Sequence, residues 1–370
     1  MRFFSFIILI IFLIIIPPAG FSAWSFESGV RWFYLFMVSF LFYHILHPFI
    51  LKISYKYNIM DIPDPRKLHK SPIPRIGGLG IFLSFIFGVL RNFQFSKEII
   101  SLLIASCVIF VVGFFDDVKN LSAIRRLFFQ ILASLIVVFG GIYVRFPLSW
   151  GDAGLILSYI VSVLWIVGIT NTFNFMDGID GLAATLSLVI SIIFLVIVVN
   201  TSQVYVMFIT SSLCGSVLGF LFYNWHPAKI FMGDGGSTFL GFILAVTSIY
   251  VWWADNNPFV AFSAPIMVLF VPIFDLLYTT VSRIKNGLIK NFYDWLVYAG
   301  RDHIHHRILN LGFSTPQTVL IISLLNLVCG FAAINMVVES KEIEFFISAA
   351  QIISIFTIIV LFMRRGREDV

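Results

Sequence analysis

Residues 171–182 read Asn-Thr-Phe-Asn-Phe-Met-Asp-Gly-Ile-Asp-Gly-Leu and lie between two long apolar runs, 153–170 and 183–200. Apolar runs separated by a short polar segment are typical of a chain that crosses a membrane several times. Polar groups near a bilayer are costly unless they are satisfied or used. The segment holds two aspartates and two asparagines, more than a helix cap requires, so it is the first candidate for a functional site.

The composition extends this pattern to the whole chain. Hydrophobic residues make up 59% of the sequence and charged residues 12%, against about 25% charged residues in soluble domains. We therefore predict an all-α polytopic membrane protein of about eleven transmembrane helices plus an extra N-terminal apolar segment, with Pro265 and Pro272 kinking one helix. The eleven runs are about 31–51, 76–91, 98–115, 127–147, 153–170, 183–200, 204–222, 237–254, 259–282, 316–338 and 343–363.

The N-terminal segment has two interpretations. The apolar run at 3–16 follows a basic start and precedes two prolines and small residues, which is the layout of a signal peptide. An uncleaved first helix fits equally well and is preferred, because a polytopic protein needs no cleaved signal. The predicted divisions are 1–29 for this segment, 30–365 for the transmembrane domain and 366–370 for a cytoplasmic tail.

The basic residues orient the chain. One set of alternate loops carries 18 lysines and arginines and the other set carries 5, with Arg2 left aside. The positive-inside rule places the richer set in the cytoplasm. The net charge of +5 is thereby explained by membrane orientation, and we expect no nucleic-acid partner.

Three more polar islands fall in the cytoplasmic loops: Phe-Asp-Asp at 115–117, Phe-Met-Gly-Asp-Gly-Gly-Ser at 231–237 and Arg-Asp-His-Ile-His-His-Arg at 301–307. We expect all four islands to lie on one membrane face and to form one site. Simpler interpretations exist for each. The acidic pair could be a solvated helix end, Asp180 could cap the next helix, and the cationic cluster at 301–307 could contact anionic lipid.

The islands share a chemistry. Carboxylate and carboxamide oxygens suit one or two Mg²⁺ ions, and a surrounding ring of Lys, Arg and His suits phosphate. Together they meet the needs of phosphoryl transfer, which are charge neutralisation and in-line positioning. No Walker-type Gly-x-x-x-x-Gly-Lys-Ser/Thr segment occurs. A site at the membrane surface points to one soluble phosphate substrate and one lipid phosphate.

In their order along the chain, these motifs resemble those of the polyprenyl-phosphate N-acetylhexosamine-1-phosphate transferases, glycosyltransferase family 4. The resemblance covers about residues 50–315, and the His-Ile-His-His-Arg form is similar to the bacterial undecaprenyl-phosphate GlcNAc-1-phosphate transferases. It rests on Arg-Lys-Leu-His-Lys at 66–70, Pro-Arg-Ile-Gly-Gly at 74–78, Asp-Asp at 116–117, the segment at 171–182, Phe-Met-Gly-Asp-Gly-Gly-Ser at 231–237 and His-Ile-His-His-Arg at 303–307.

The resemblance implies a reaction and its partners. A UDP-HexNAc, with GlcNAc the expected sugar, and undecaprenyl phosphate would give undecaprenyl-diphospho-HexNAc and UMP. The implied cofactor is Mg²⁺, with Mn²⁺ as the alternative ion. The implied location is the bacterial cytoplasmic membrane, with the site on the cytoplasmic face, and a homodimer is compatible with the resemblance.

The resemblance also assigns roles to residues. It implies metal ligands at Asn174 and Asp234. A lysine three positions after Asp117, present in the muramoyl-pentapeptide branch, is missing here, and Arg126 is expected to replace it. The implied catalytic residues are Asp116, Asp117, Asp177, His303, His305 and His306, and the implied substrate-binding residues are Lys70, Arg126, Asp180, Phe231, Arg301 and Arg307.

Two other functions fit parts of the sequence. A CDP-alcohol phosphatidyltransferase would continue its Asp-Gly motif with further aspartates, where this chain has Ala-Ala-Thr at 183–185. A secondary transporter would place polar residues at mid-membrane in broken helices. Asp275 is the one acid well inside an apolar run, and we interpret it as structural or as supporting the site.

Overall fold

The computed structural model describes residues 2–11, 25, 27–63, 71–91, 95–146, 150–199, 201–254, 257–298, 300–339 and 342–365. The chain divides into two compact units, Met1–Val251 and Trp252–Val370, and each is described by itself.

The first unit contains nine helices and one short β-ribbon among its described residues. They are α1 (Arg2–Ile10), α2 (Arg31–Lys56), β1 (Met60–Asp61), β2 (Ile73–Pro74), α3 (Gly77–Leu90), α4 (Lys97–Lys119), α5 (Ala123–Gly140), α6 (Gly151–Met176), α7 (Leu182–Val198), α8 (Val204–Asn224) and α9 (Gly233–Tyr250). The strands pair antiparallel, with Met60 opposite Pro74.

The second unit contains helices and loops, and no strand, among its described residues. Its helices are α10 (Pro258–Val268), α11 (Phe270–Lys285), α12 (Phe292–Val297), α13 (Ile304–Asn310), α14 (Thr315–Glu339) and α15 (Glu342–Arg365). Asn291 caps the short helix α12 by accepting a hydrogen bond from the Asp294 amide at 2.8 Å.

Seven helices in the described part of the chain are long and apolar enough to cross a membrane: α2, α4, α5, α6, α8, α14 and α15. Each of the eleven predicted apolar runs contains a helix, which confirms the all-α polytopic membrane fold. The N-terminal segment remains a prediction, because α1 covers only part of it and residues 12–24 lie outside the described residues. The predicted tail at 366–370 also lies outside them.

The run at 259–282 forms two helices rather than one, and the prediction of a proline bend there is confirmed. Helices α10 and α11 meet at an angle of 75°. Pro272 has no N–H to give to the carbonyl of Val268, so the helical hydrogen-bond ladder is interrupted where α10 ends.

Helix α9 is the centre of the first unit. Every residue from Gly235 to Ser248 is buried, and the helix packs against α3, α4, α6 and α7. The backbones approach closely at Gly113 of α4, where a Cβ atom would lie 2.6 Å from the Cα atom of Gly235. Small residues at such crossings let membrane helices pack backbone against backbone.

The crossing at Gly113 gives a stability prediction. We expect Gly113→Ala to lower the melting temperature of the detergent-solubilised protein by several degrees, because the α9 backbone cannot move aside and overpacking costs about 1–3 kcal/mol. Gly168→Ala on α6 is the matched control, since nothing lies within 4 Å of a Cβ atom there. Equal melting temperatures for the two variants would contradict the packing of α9 on α4.

Candidate active site

The start of α9 is held by a carboxylate from α4. The first N–H groups of a helix have no partner within it. Asp117 accepts hydrogen bonds from the amides of Asp234 at 2.8 Å and Gly235 at 3.0 Å. Gly233, with φ of +73°, permits this contact, because a Cβ atom there would lie 2.6 Å from Oδ2 of Asp117. The acidic pair and the glycine-rich island therefore meet at one point.

Arg75 joins the two carboxylates at this point. Its Nε lies 3.0 Å from Oδ1 of Asp117, and its Nη2 lies 3.1 Å from Oδ2 of Asp234. The backbone beside it is fixed, because Phe231 donates to the carbonyl of Pro74 and Gly77 donates to the carbonyl of Phe231, both at 2.8 Å. Sequence reasoning included Arg75 only as part of the Pro-Arg-Ile-Gly-Gly motif at 74–78 and missed this role.

Asn174 brings the first island, residues 171–182, to the same place. Its Nδ2 donates to Oδ1 of Asp234 at 2.8 Å and to the hydroxyl of Ser237 at 3.0 Å. Asn174 lies in the last turn of α6, so the end of α6 faces the start of α9. The two residues predicted to bind the metal are thus in direct contact with each other.

Asp177 adds a further carboxyl group to the cluster. It directly follows α6, outside the apolar part of the helix. Burial raises the pKa of Asp177 well above its usual range, and the carboxylates of Asp234 and Asp117 raise it further. A site in which carboxylates disfavour one another's ionisation favours the binding of a cation.

Asp116, the other member of the acidic pair, points into a different contact. Its Oδ2 lies 2.9 Å from Nη1 of Arg126, and its Oδ1 accepts from the Leu121 amide. The predicted substitute for the missing lysine therefore contacts the acidic pair directly.

A groove opens beside Asp116. Its wall is apolar along α4 and α5 and polar at one end, where carboxylate, guanidinium and amide groups meet. The lining residues are Ile109, Val112, Gly113, Asp116, Arg126, Phe129, Gln130, Asp234 and Thr238. Gln130 also exchanges hydrogen bonds with Asn171, at 2.7 and 3.3 Å, which links the groove to the first island.

Asp180 anchors the loop after α8 instead of capping α7. Its Oδ2 lies 2.8 Å from Nδ1 of His226 and accepts from the Ala228 amide at 3.0 Å. Asn224 reinforces the loop by accepting from the Gly181 amide at 3.0 Å and donating to the Ile230 carbonyl at 2.8 Å. The loop leads to Phe231, so it links Asp180 and Phe231, which are both predicted to bind substrate. Lys70, predicted to bind substrate, lies outside the described residues.

The fourth island lies in the second unit, and its membership of a common site stays a prediction. His305 is fully buried, and neither of its ring nitrogens has a hydrogen-bond partner among the described residues. His306 lies against it, with ring centroids 4.2 Å apart and the ring planes tilted by 48°. Arg307 lies over the ring of Tyr278 at 4.9 Å, and Arg301 is exposed.

Two of the histidines do not carry the positive charge that the sequence suggested for this cluster. Burial lowers the pKa of His305 well below its usual range, with His306 and His303 adding to the effect. Burial, followed by Arg301 and His303, lowers the pKa of His306 to about 4. Both rings are therefore neutral near pH 7.

Comparison with known proteins places the chain. The family model described as glycosyl transferase family 4 matches residues 99–252. A Bacillus subtilis (strain 168) protein named probable undecaprenyl-phosphate N-acetylglucosaminyl 1-phosphate transferase is 35% identical over 319 residues, covering 83% of this chain and 86% of that protein. The chain belongs to glycosyl transferase family 4. The family resemblance predicted from the motifs is thereby confirmed.

Two further relatives show the breadth of the family. A decaprenyl-phosphate N-acetylglucosaminephosphotransferase of Mycobacterium leprae (strain TN) is 33% identical, covering 74% of this chain and 76% of that protein. A phospho-N-acetylmuramoyl-pentapeptide-transferase of Carboxydothermus hydrogenoformans (strain ATCC BAA-161 / DSM 6008 / Z-2901) is 28% identical, covering 77% and 90%.

The neutral state of His306 predicts a pH dependence of stability. Its pKa is about 4 in the folded protein and about 6.5 in an unfolded chain, so below pH 6.5 the unfolded state binds a proton that the folded state excludes. The stabilising contribution is complete above pH 6.5 and is lost as pH falls towards 4. We expect the melting temperature of His306→Gln to fall less than that of the wild type between pH 6.5 and 4.5. Parallel melting curves over that range would contradict the burial of a neutral ring.

Proposed function

We propose that this family member transfers a HexNAc-1-phosphate, with GlcNAc as the sugar, from a UDP-sugar to undecaprenyl phosphate, giving undecaprenyl-diphospho-HexNAc and UMP. The carrying observation is the cluster at the start of α9, where Asp234 contacts Asp117, Asn174 and Arg75. Such a cluster provides groups for both a cation and phosphate oxygens. The names of the relatives supply the substrate class.

The cluster fits a Mg²⁺ ion, with Mn²⁺ as the alternative. Asp234 and Asn174 offer the hard oxygen ligands that Mg²⁺ prefers, and the carboxylates of Asp234 and Asp117, which after burial raise the pKa of Asp177, add negative charge that favours a cation. No group of three or more His, Cys, Asp or Glu side chains in the described part of the chain is arranged to hold a metal. This suits Mg²⁺, which is usually bound by one or two carboxylates together with substrate phosphates. When bound, the ion would neutralise charge on the diphosphate.

The groove beside Asp116 suits a lipid phosphate. Ile109, Val112 and Phe129 give it an apolar wall for isoprenyl units, and Arg126 and Gln130 lie at its polar end. A guanidinium at that end can pair with phosphate oxygens. The basic loops support a site on the cytoplasmic face of the bacterial cytoplasmic membrane.

The hydrogen bonds of the acidic pair favour direct attack by the lipid phosphate over a covalent aspartyl intermediate. Asp117 accepts from two backbone amides and from Arg75, and Asp116 accepts from Arg126 and the Leu121 amide. Carboxylates so engaged hold the arginines in place and are poor nucleophiles. A phosphate monoester has a second pKa of about 6 and needs no strong base near pH 7. Trapping a sugar-phosphate on either aspartate would reverse this preference.

A transfer assay tests the function. Purified protein is mixed with undecaprenyl phosphate, Mg²⁺ and a panel of UDP-sugars carrying labelled sugars, and the label extracted with lipid is measured. We expect transfer from UDP-GlcNAc above the other sugars, with one UMP released for each labelled lipid. Folded protein that transfers no UDP-HexNAc would contradict the proposal. A transporter would bind or move substrate without forming labelled lipid, so the same assay separates the two classes.

A further inference from the structure

Asp275 is the one acid inside the apolar run at 259–282, and its carboxylate is fully engaged. It is 1% exposed in α11. Oδ2 lies 2.6 Å from Nδ1 of His303, and Oδ1 accepts from the Ile304 amide at 2.6 Å. A buried carboxylate is tolerated when its oxygens are hydrogen-bonded. Asp275 thus ties α11 to the residues at which α13 begins.

The second nitrogen of His303 is also engaged. Nε2 lies 3.2 Å from Nη2 of Arg283. A guanidinium only donates hydrogen bonds, so Nε2 is the acceptor and the ring proton lies on Nδ1, from which it is donated to Asp275. A second proton on Nε2 would point at a cation. Neither nitrogen is left to exchange a proton with a substrate.

Arg283 is held equally firmly. It is 3% exposed and binds Asp302 through two bonds, Nε to Oδ2 at 2.8 Å and Nη2 to Oδ1 at 2.7 Å. Its guanidinium lies over the ring of Tyr298 at 4.7 Å. Arg283 and Asp275, both on α11, therefore clamp residues 302–304 at three consecutive positions.

We propose that Asp275 and Arg283 are positioning residues for the transfer reaction, and that they hold His303 as a neutral ring protonated on Nδ1. His303 then fixes the start of α13, which carries His305, His306 and Arg307, and does not itself exchange a proton. This assignment replaces the catalytic role predicted for His303 from the resemblance. It rests on the function proposed above, because the reaction that is positioned is that transfer.

The kinetic test uses Asp275→Asn, His303→Gln and the double variant. We expect each single change to lower kcat about 10–100-fold, as for other residues that orient a reacting group. The kcat of the double variant should be no lower than that of the less active single variant, because the two residues act as one unit. The pH profile of kcat/KM keeps the shape of the wild-type profile in His303→Gln, because a positioning ring does not titrate in the reaction. The control is Asp152→Asn, which changes an exposed acid in the first turn of α6 and is expected to keep wild-type turnover.

Two kinetic results would overturn the proposal. One is a profile of His303→Gln that lacks a limb present in the wild type, which would make His303 an acid or base. The other is Asp275→Asn turnover within twofold of the wild type. Melting temperatures are measured in parallel, and Asp275→Glu, which keeps the carboxylate, is used if Asp275→Asn does not fold; its transfer is expected between those of the wild type and His303→Gln.

A spectroscopic test does not depend on turnover. Protein labelled with ¹⁵N at histidine is compared with labelled His303→Gln, and the lost signals belong to His303. At pH 7 we expect a protonated Nδ1 and an unprotonated Nε2. The opposite tautomer, or two protonated nitrogens, overturns the clamp. The expected tautomer in a wild-type protein that transfers no sugar refutes the proposed function and leaves the clamp intact.

Discussion

The structure of the first unit depends on how the buried start of α9 is satisfied. Backbone N–H groups inside a protein need acceptors, and here Asp117 of α4 supplies both oxygens to the first turn. A carboxylate in that position in turn requires a cation, which Arg75 provides while also reaching Asp234. The close crossing at Gly113 places the two helices near enough for these bonds to form. The packing of α4 against α9 therefore also assembles the polar cluster.

This explains why the membrane fold tolerates so many charged groups. Asp116, Asp117 and Asp234 each contact an arginine, and Asp275 binds a histidine and a backbone amide. Asp177 is the exception, because none of the described side chains pairs with it in this way, and its pKa is raised by burial and by the neighbouring carboxylates. The excess of carboxyl groups at this point favours the binding of a cation, and a cation bound there would attract a diphosphate. The proposed reaction is therefore assigned to this point.

Much of the fold and part of the candidate site followed from sequence. Apolar runs predict helices because each membrane segment must satisfy its own backbone, and the family resemblance singled out Asn174, Asp117 and Asp234, which meet at the start of α9. Arg75 was missed as a partner of these acids because its pairing joins loops far apart in the chain. The sequence did contain a signal for this pairing, because the carboxylates of the islands needed a positively charged side chain nearby.

The histidine cluster shows the limit of such reasoning. Its residue types suggested positive charge, but burial decides protonation, and burial depends on packing that one sequence does not reveal. Likewise the sequence marked Asp275 as an isolated acid in an apolar run, and only the structure shows that it holds His303. Residue type gives the chemistry that is available, and packing determines which part of it is used.

The most direct test of the central claim, that the cluster at the start of α9 performs the transfer, is the turnover of Asp234→Ala. Transfer of labelled sugar phosphate to undecaprenyl phosphate is measured beside the melting temperature, with Asp152→Ala as the matched control. The account predicts that Asp234→Ala remains folded and loses at least about a thousandfold in turnover, a size of effect that single groups stabilising transition-state charge reach. Turnover within threefold of the wild type in a folded Asp234→Ala protein would contradict it.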